Sequence, residues 1–245
     1  MRIESFFTPN EIDDSLVKAR TVAVIDVLRV CTTIAYAMSR GCETIIPVQS
    51  VEAATNLAAS LDKAVTLLGG EKEGKRIDGF NLGNSPSEYS AELVKGKTII
   101  LATTNGTGAI SRSQAAKEVL IGSFVNMSSV VDYAQKEAID RLTIVCAGKQ
   151  GKFALEDAVC AGMLIERLSQ DGDHILNDGA HAARLLYKLN EQSIPLFLRG
   201  CEHGRYLESL GFEKDLDICG RVDSLRILPI VKEGRIERPK RQRRK

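Results

Sequence analysis

Short, almost wholly apolar runs alternate with helical patterns along most of this chain, and that alternation restricts the fold more than any other feature. Residues 22–26, 44–48, 65–68, 98–102, 118–122 and 142–146 are rich in Val, Ile and Leu. A strand without polar alternation must be covered on both faces. Between these runs, 32–40, 51–61, 86–95, 108–116, 127–136, 154–170 and 179–191 carry helical patterns. The alternation predicts an α/β sandwich on a mostly parallel sheet. Boundary signals agree. Ser85-Pro86-Ser87-Glu88 reads as a capping box with Pro in the first turn. Ser50 and Asn126 read as N-caps, and Gly41 as the left-handed residue that ends a helix. A late strand at 224–231 contains Pro229, which assigns it to a sheet edge.

Charge distribution says more than its total. The formal net charge is +1, but 235–245 holds seven basic residues and one acidic residue. Residues 1–234 therefore hold 26 basic and 31 acidic side chains, a charge of −5. That body does not read as a nucleic-acid binder, and 235–245 reads as a frayed, solubilising tail behind a single domain spanning 1–234. No apolar stretch reaches the roughly 18–20 residues of a membrane span. Six cysteines (Cys31, Cys42, Cys146, Cys160, Cys201 and Cys219) show neither CxxC nor zinc-type spacing. Met1–Pro9 has no apolar signal-peptide core. The thiols are therefore expected to be reduced and the protein cytoplasmic.

Shifting the chain by about 76 residues lays 22–50 on 98–126, with Asp26 on Ala102. Three strands then end in polar, turn-rich segments: one at Asp26-Val27-Leu28-Arg29, one at Thr103-Thr104-Asn105-Gly106-Thr107, one at Cys146-Ala147-Gly148-Lys149-Gln150-Gly151. In a parallel sheet they would share the carboxyl edge, where α/β proteins bind ligands. The threonine-rich turn opens a helix and suits an anion such as phosphate or sulfonate. Asp26 ends an apolar strand and needs a partner, either Arg29 or a divalent cation. Glu156 and Asp157 begin a helix; hard oxygens near phosphate are what Mg²⁺ takes, with Glu71 in the long 69–85 loop as a further ligand. Cys146 is a candidate nucleophile if Lys149 and helix N-termini lower its pKa. His203 is a candidate general acid, and Arg205 an anion contact.

The sequence resembles the 2-phosphosulfolactate phosphatase family. The resemblance rests on Val24-Ile25-Asp26-Val27-Leu28-Arg29 with Thr32-Thr33, and on Gly69-Gly70-Glu71 with the segment from Gly79 through Asn84, Ser85 and Pro86. It continues in Thr103 to Thr107, in Cys146-Ala147-Gly148 with Glu156-Asp157, and in His203-Gly204-Arg205. These occur in family order over roughly 20–230. Asn81 departs from the Asp expected there. The resemblance implies a three-layer α/β/α sandwich and a Mg²⁺-dependent phosphoric monoester hydrolase. The reaction would convert 2-phospho-3-sulfolactate to 3-sulfolactate and phosphate, a step of coenzyme M biosynthesis. With that reaction in view, the residue reading above makes Asp26, Arg29, Cys146, His203 and Arg205 the catalytic candidates. Thr103, Thr104, Asn105, Gly106, Thr107, Gly148, Asn84 and Ser85 would bind substrate, and Asp26, Glu71, Glu156 and Asp157 the metal. The partner is a small anionic substrate, with no nucleic acid or membrane; homo-oligomerisation stays open. Two other readings are a cysteine hydrolase of the isochorismatase type, built on Asp26 and Cys146, and a small-anion-binding module without turnover.

Overall fold

The run Thr21–Ile25 is buried at every position and lies inside the sheet, as an unbroken apolar segment requires. The computed structural model describes residues 1–103, 106–138 and 140–239. Its strands are β1 (Arg2–Phe6), β2 (Thr21–Ile25), β3 (Thr44–Val48), β4 (Thr66–Lys72), β5 (Lys75–Arg76), β6 (Thr98–Ala102), β7 (Glu118–Gly122), β8 (Arg141–Cys146), β9 (Ile175–Leu176), β10 (Ile230–Lys232) and β11 (Arg235–Glu237). Its helices are α1 (Asp14–Val17), α2 (Val30–Ser39), α3 (Val51–Ala59), α4 (Ala91–Val94), α5 (Gly106–Arg112), α6 (Met127–Glu137), α7 (Leu155–Leu168), α8 (Asp178–Asn190), α9 (Ile194–Gly200), α10 (Glu202–Ser209) and α11 (Glu213–Cys219).

The described strands form one mixed sheet in the order β5-β4-β6-β3-β11-β10-β7-β2-β8-β1-β9. Val22, Val119, Val231, Ile236, Ile45 and Ile99 stand in one register row across six of them. This face packs against Ile34 and Met38 of α2 and Ile110 of α5. The opposite face presents Ala23, Leu120 and Ile144 to Val130 of α6 and Met163 and Leu164 of α7. Farther along, Ile100 and Ala102 meet Ala54 of α3 on the same side. Helices therefore cover both faces, and the architecture is a three-layer α/β/α sandwich. Helix α7 is buried on nearly all sides because α8 covers the face turned away from the sheet. Contact there is so close that a Cβ on Gly162 would come 2.0 Å from the Ala183 carbonyl oxygen.

The sheet departs from the expected single carboxyl edge. β4, β6 and β3 are mutually parallel, as are β7, β2, β8, β1 and β9. Three antiparallel pairings, β3 with β11, β11 with β10 and β10 with β7, lie between the two groups. An odd number of reversals makes the groups run in opposite senses. Of the three strands expected to share that edge, β2 and β8 do end together; β6 runs the other way. The same hairpin corrects two further expectations. β10 lies inside the sheet, with Pro229 just outside it accepting the Ile121 N–H at 3.0 Å. Residues 235–237, expected to begin the tail, are a strand, and Ile236 is wholly buried. The ordered fold thus extends past 234; residues 240–245 lie outside the described residues.

Local signals held where the side chain had no better partner. Ser50 accepts the Ala53 N–H at 3.0 Å, and Gly41 has φ +97°. The helix expected over 86–95 is instead a 3₁₀ turn, Pro86–Glu88, followed by α4. Ser85 donates to Asp215 (2.6 Å) and Glu88 accepts the Gly83 N–H (2.7 Å), so neither residue closes a capping box. Asn126 is likewise no cap. Its Oδ1 accepts the Ser123 N–H and its Nδ2 donates to the Ile121 and Ile227 carbonyls, tying β7 to the chain before β10.

Candidate active site

A cavity of about 610 Å³ opens between the loop after β2, the β4–β5 hairpin, the 149–155 segment and α10. That size suits a small molecule. Asp26, Arg29, Glu71, Asn84, Glu156, His203 and Arg205 of the expected site all line it, together with Lys149.

Asp26 is 3% exposed. Its Oδ1 accepts the Val30 N–H at 3.1 Å, in the first turn of α2. A Cβ on Gly106 would come 2.7 Å from its Oδ2, so only glycine lets α5 approach this carboxylate. Gly106→Ala is therefore expected to lower kcat by about 10-fold or more, since small displacements at a reacting site are costly. Steady-state kinetics beside a thermal melt checks this. Burial pushes the Asp26 carboxyl up to about 7; the His203 charge and the Val30 N–H oppose the rise, while Glu156 and Glu71 add to it.

Asp157 lies behind this wall rather than in it. Its Oδ1 accepts the Val27 N–H (2.8 Å) and its Oδ2 the Gly148 N–H (3.0 Å), which ties the loop after β2 to the loop after β8. With both oxygens used in this way, it acts as a brace. Its neighbour Glu156 faces the cavity, and Oε1 meets His203 Nδ1 at 2.9 Å. Glu71 Oε2 accepts the Gly74 N–H at 2.8 Å, closing the hairpin on itself. Tyr206 of α10 donates from its hydroxyl to the Glu73 carbonyl at 2.9 Å, holding the hairpin against α10.

Arg29 does not pair with Asp26. Its guanidinium donates to Asp215 Oδ2 and to the Gly74 carbonyl, each at 2.7 Å, and lies 4.3 Å from the centre of the Phe212 ring. Asp215 also accepts from Ser85, so Ser85 serves this brace. Arg205 donates to the Gly200 carbonyl. Asn84 is held through its backbone carbonyl, which accepts from Thr33, and its side-chain Oδ1 is buried without a hydrogen-bond partner. Asn81 lies away from the cavity and accepts the Leu68 N–H at 2.9 Å, a bond that an Asp would also make.

The donor set suits a hard cation in part. Asp26, Glu156 and Glu71 line one cavity, and their mutual repulsion would fall if a cation lay between them. Among the described residues no three His, Cys, Asp or Glu side chains form a ready-made metal group. Mg²⁺ does not require one, being held by one or two carboxylates plus water and phosphate.

The chain's similarities bear on this cavity. The family model described as 2-phosphosulpholactate phosphatase matches residues 6–234. The chain belongs to the 2-phosphosulfolactate phosphatase family. A relative from Caldanaerobacter subterraneus subsp. tengcongensis, called a probable 2-phosphosulfolactate phosphatase, is 40% identical over 96% of this chain and 97% of its own length. Similar proteins of the same description occur in Thermotoga maritima (40% identity, 90% of this chain and 92% of theirs) and Clostridium acetobutylicum (36%, 96% and 100%). The family is one of phosphoric monoester hydrolases, so the chain is read as an enzyme of that class.

Several expected residues fall elsewhere. Cys146 is fully buried and absent from the cavity wall, and burial pushes its thiol far above the usual range, with Asp157 adding to the effect. A thiol kept protonated and out of reach is no nucleophile, which also removes the basis for a cysteine hydrolase. Gly148 supplies an N–H to Asp157 and does not line the cavity. Thr103 and Thr107 line a separate depression with Gln49 and Arg112, and Thr107 donates to the Thr103 carbonyl. Thr104 and Asn105 lie outside the described residues. Sequence reading missed Asp215, Phe212, Gly74 and Tyr206. Only Tyr206, beside His203-Gly204-Arg205, had a local signal.

Proposed function

We propose that this chain hydrolyses 2-phospho-3-sulfolactate, or a closely related phosphorylated 2-hydroxy acid, to the hydroxy acid and phosphate, with Mg²⁺. The observation that carries the reading is a single cavity lined both by the buried carboxylates Asp26 and Glu156 and by the cationic Lys149 and Arg205. A substrate bearing phosphate, carboxylate and sulfonate needs local positive charge that the −5 body does not supply in bulk.

Asp26, Glu156 and Glu71 are the residues that would hold Mg²⁺. When bound, the ion polarises phosphoryl oxygens and neutralises the charge that develops on them. His203 has Nδ1 committed to Glu156, which orients the ring and leaves Nε2 to protonate the leaving alkoxide oxygen. Asp157, Arg29 and Asp215 fix the loops that carry these groups. The six cysteines are all free and buried, which supports a reducing, cytoplasmic setting. No helix among the described residues is long and apolar enough to cross a membrane. The product, 3-sulfolactate, is the acid that the resemblance places on the route to coenzyme M.

A phosphate-release screen over phosphorylated 2-hydroxy acids, with Mg²⁺ and with a chelator, tests the reading. The expected result is the highest kcat/KM on the sulfonated ester and turnover only with Mg²⁺. Tight binding of such esters without any phosphate release would instead support an anion-binding module.

A further inference from the structure

The cavity wall carries cationic side chains beside its carboxylates, and the segment that bears Lys149 is built more rigidly than general attraction requires. Lys149 and Lys152 exchange backbone hydrogen bonds across a two-residue turn, N–H to carbonyl, at 2.9 and 3.0 Å. Gln150 and Gly151 between them have φ +52° and +73°, the pattern of a tight hairpin turn with both central residues left-handed. The turn is anchored where Gly148 donates to Asp157, and a Cβ on Gly148 would come 2.2 Å from the Lys152 carbonyl oxygen. From this turn the Lys149 ammonium lies 4.8 Å from the centre of the Tyr206 ring. Tyr206 is itself fixed by its bond to Glu73. The Lys149 side chain is 22% exposed, whereas Glu202, its ion-pair partner at 3.4 Å, is 85% exposed. An ion pair that open to water holds its lysine weakly. The result is a preorganised ammonium on an aromatic shelf in the cavity wall, ready to exchange an exposed partner for an anion.

Resting on the function proposed above, we propose that Lys149, seated on Tyr206, anchors the non-transferred sulfonate of the substrate and so sets specificity for sulfonated esters. The carboxylates Asp26, Glu156 and Glu71 mark the phosphate end, because a cation and the phosphoryl group belong together. The two other acidic groups of the substrate, carboxylate and sulfonate, must then meet positive charge elsewhere in the wall, where Lys149 and Arg205 stand. A sulfonate spreads its charge over three oxygens and is well matched by a compact ammonium with three donors.

The test compares kcat/KM on 2-phospho-3-sulfolactate and on 2-phospholactate, which lacks only the sulfonate, for wild type, Lys149→Met and Lys149→Arg. Wild type is expected to prefer the sulfonated ester by about 10-fold or more. Lys149→Met should lose about 10- to 100-fold on that ester, mainly through KM, as for one charge-assisted hydrogen bond. Its loss on 2-phospholactate should be at least about 10-fold smaller, and Lys149→Arg should recover most of the preference. Equal losses on the two esters, or no loss on either, overturn the anchor while leaving the phosphatase reading intact. No hydrolysis of either ester by wild type overturns the phosphatase reading and the anchor with it. A thermal melt of each variant separates misfolding from a lost contact, and the Arg variant reports on charge when Met fails to fold.

Discussion

Asp26→Asn is expected to lower kcat/KM by at least about 10²-fold, the usual scale for losing a metal-site group, while making the protein more stable above neutral pH. The opposed effects share one cause. Asn keeps an oxygen for the Val30 N–H but removes a charge that burial makes costly. The folded carboxyl sits at about 7, against 3.8 for the ordinary group. Below the lower value both states are protonated and the residue costs nothing. Between the two, the unfolded chain gives up its proton while the folded chain retains it, so stability falls as pH rises. Above about 7 the whole cost is present. Thermal melts in chelator should therefore show a larger Tm gain for Asp26→Asn at pH 8 than at pH 5. An equal gain at both values would mean that the carboxyl is not held above its ordinary range. This is the common exchange of stability for function at a reacting site.

Asp215→Ala should be among the most destabilising single changes in the chain, at about 3–5 kcal/mol. Asp215 and Arg29 are each 2% exposed at the side chain, and their ion pair is 2.7 Å long. Removing the carboxylate strands a buried guanidinium and takes from Ser85 its 2.6 Å acceptor. It also loosens three segments that the pair joins: the loop after β2, the hairpin tip at Gly74, and α11. Urea melts measure the loss, with Lys188→Ala as control. Lys188 pairs with Glu166 at 3.4 Å but is 48% exposed, so its loss should stay below about 1 kcal/mol. Comparable losses at the two sites would contradict a buried clamp.

What the sequence reveals follows from how local each signal is. β2 is legible because five consecutive buried residues leave an apolar run, and Asp26 because a carboxylate at the end of such a run stands out. Glu156 and His203 are each recognisable by residue type, but their 2.9 Å contact joins positions 47 apart and is visible only in three dimensions. Asp215 has no local mark. It lies in a charged stretch that reads as surface, and its partner Arg29 is 186 residues away. β1 is hidden because Glu4 and Ser5 interrupt its apolar pattern, although both are buried, Glu4 through pairs with Arg2 and Arg20. β10 and β11 are only three residues each, and β11 begins at Arg235, where basic composition suggests a tail. That hairpin sets β3, β6 and β4 against the sense of β2 and β8, which is why strand order alone misplaces the end of β6. Cys146 shows the opposite error: a position at a strand end looked reactive, whereas burial keeps the thiol protonated.

The charge split bears on the final test. A −5 body that takes a substrate with phosphate, carboxylate and sulfonate must obtain positive charge locally, from Lys149, from Arg205 and from a divalent ion. The most direct measurement is phosphate release from 2-phospho-3-sulfolactate by the purified chain, before chelation, after it, and after Mg²⁺ is restored. The expected result is turnover that disappears with the chelator and returns with Mg²⁺. An unchanged rate in chelator would contradict the assignment of Asp26, Glu156 and Glu71 to a divalent cation.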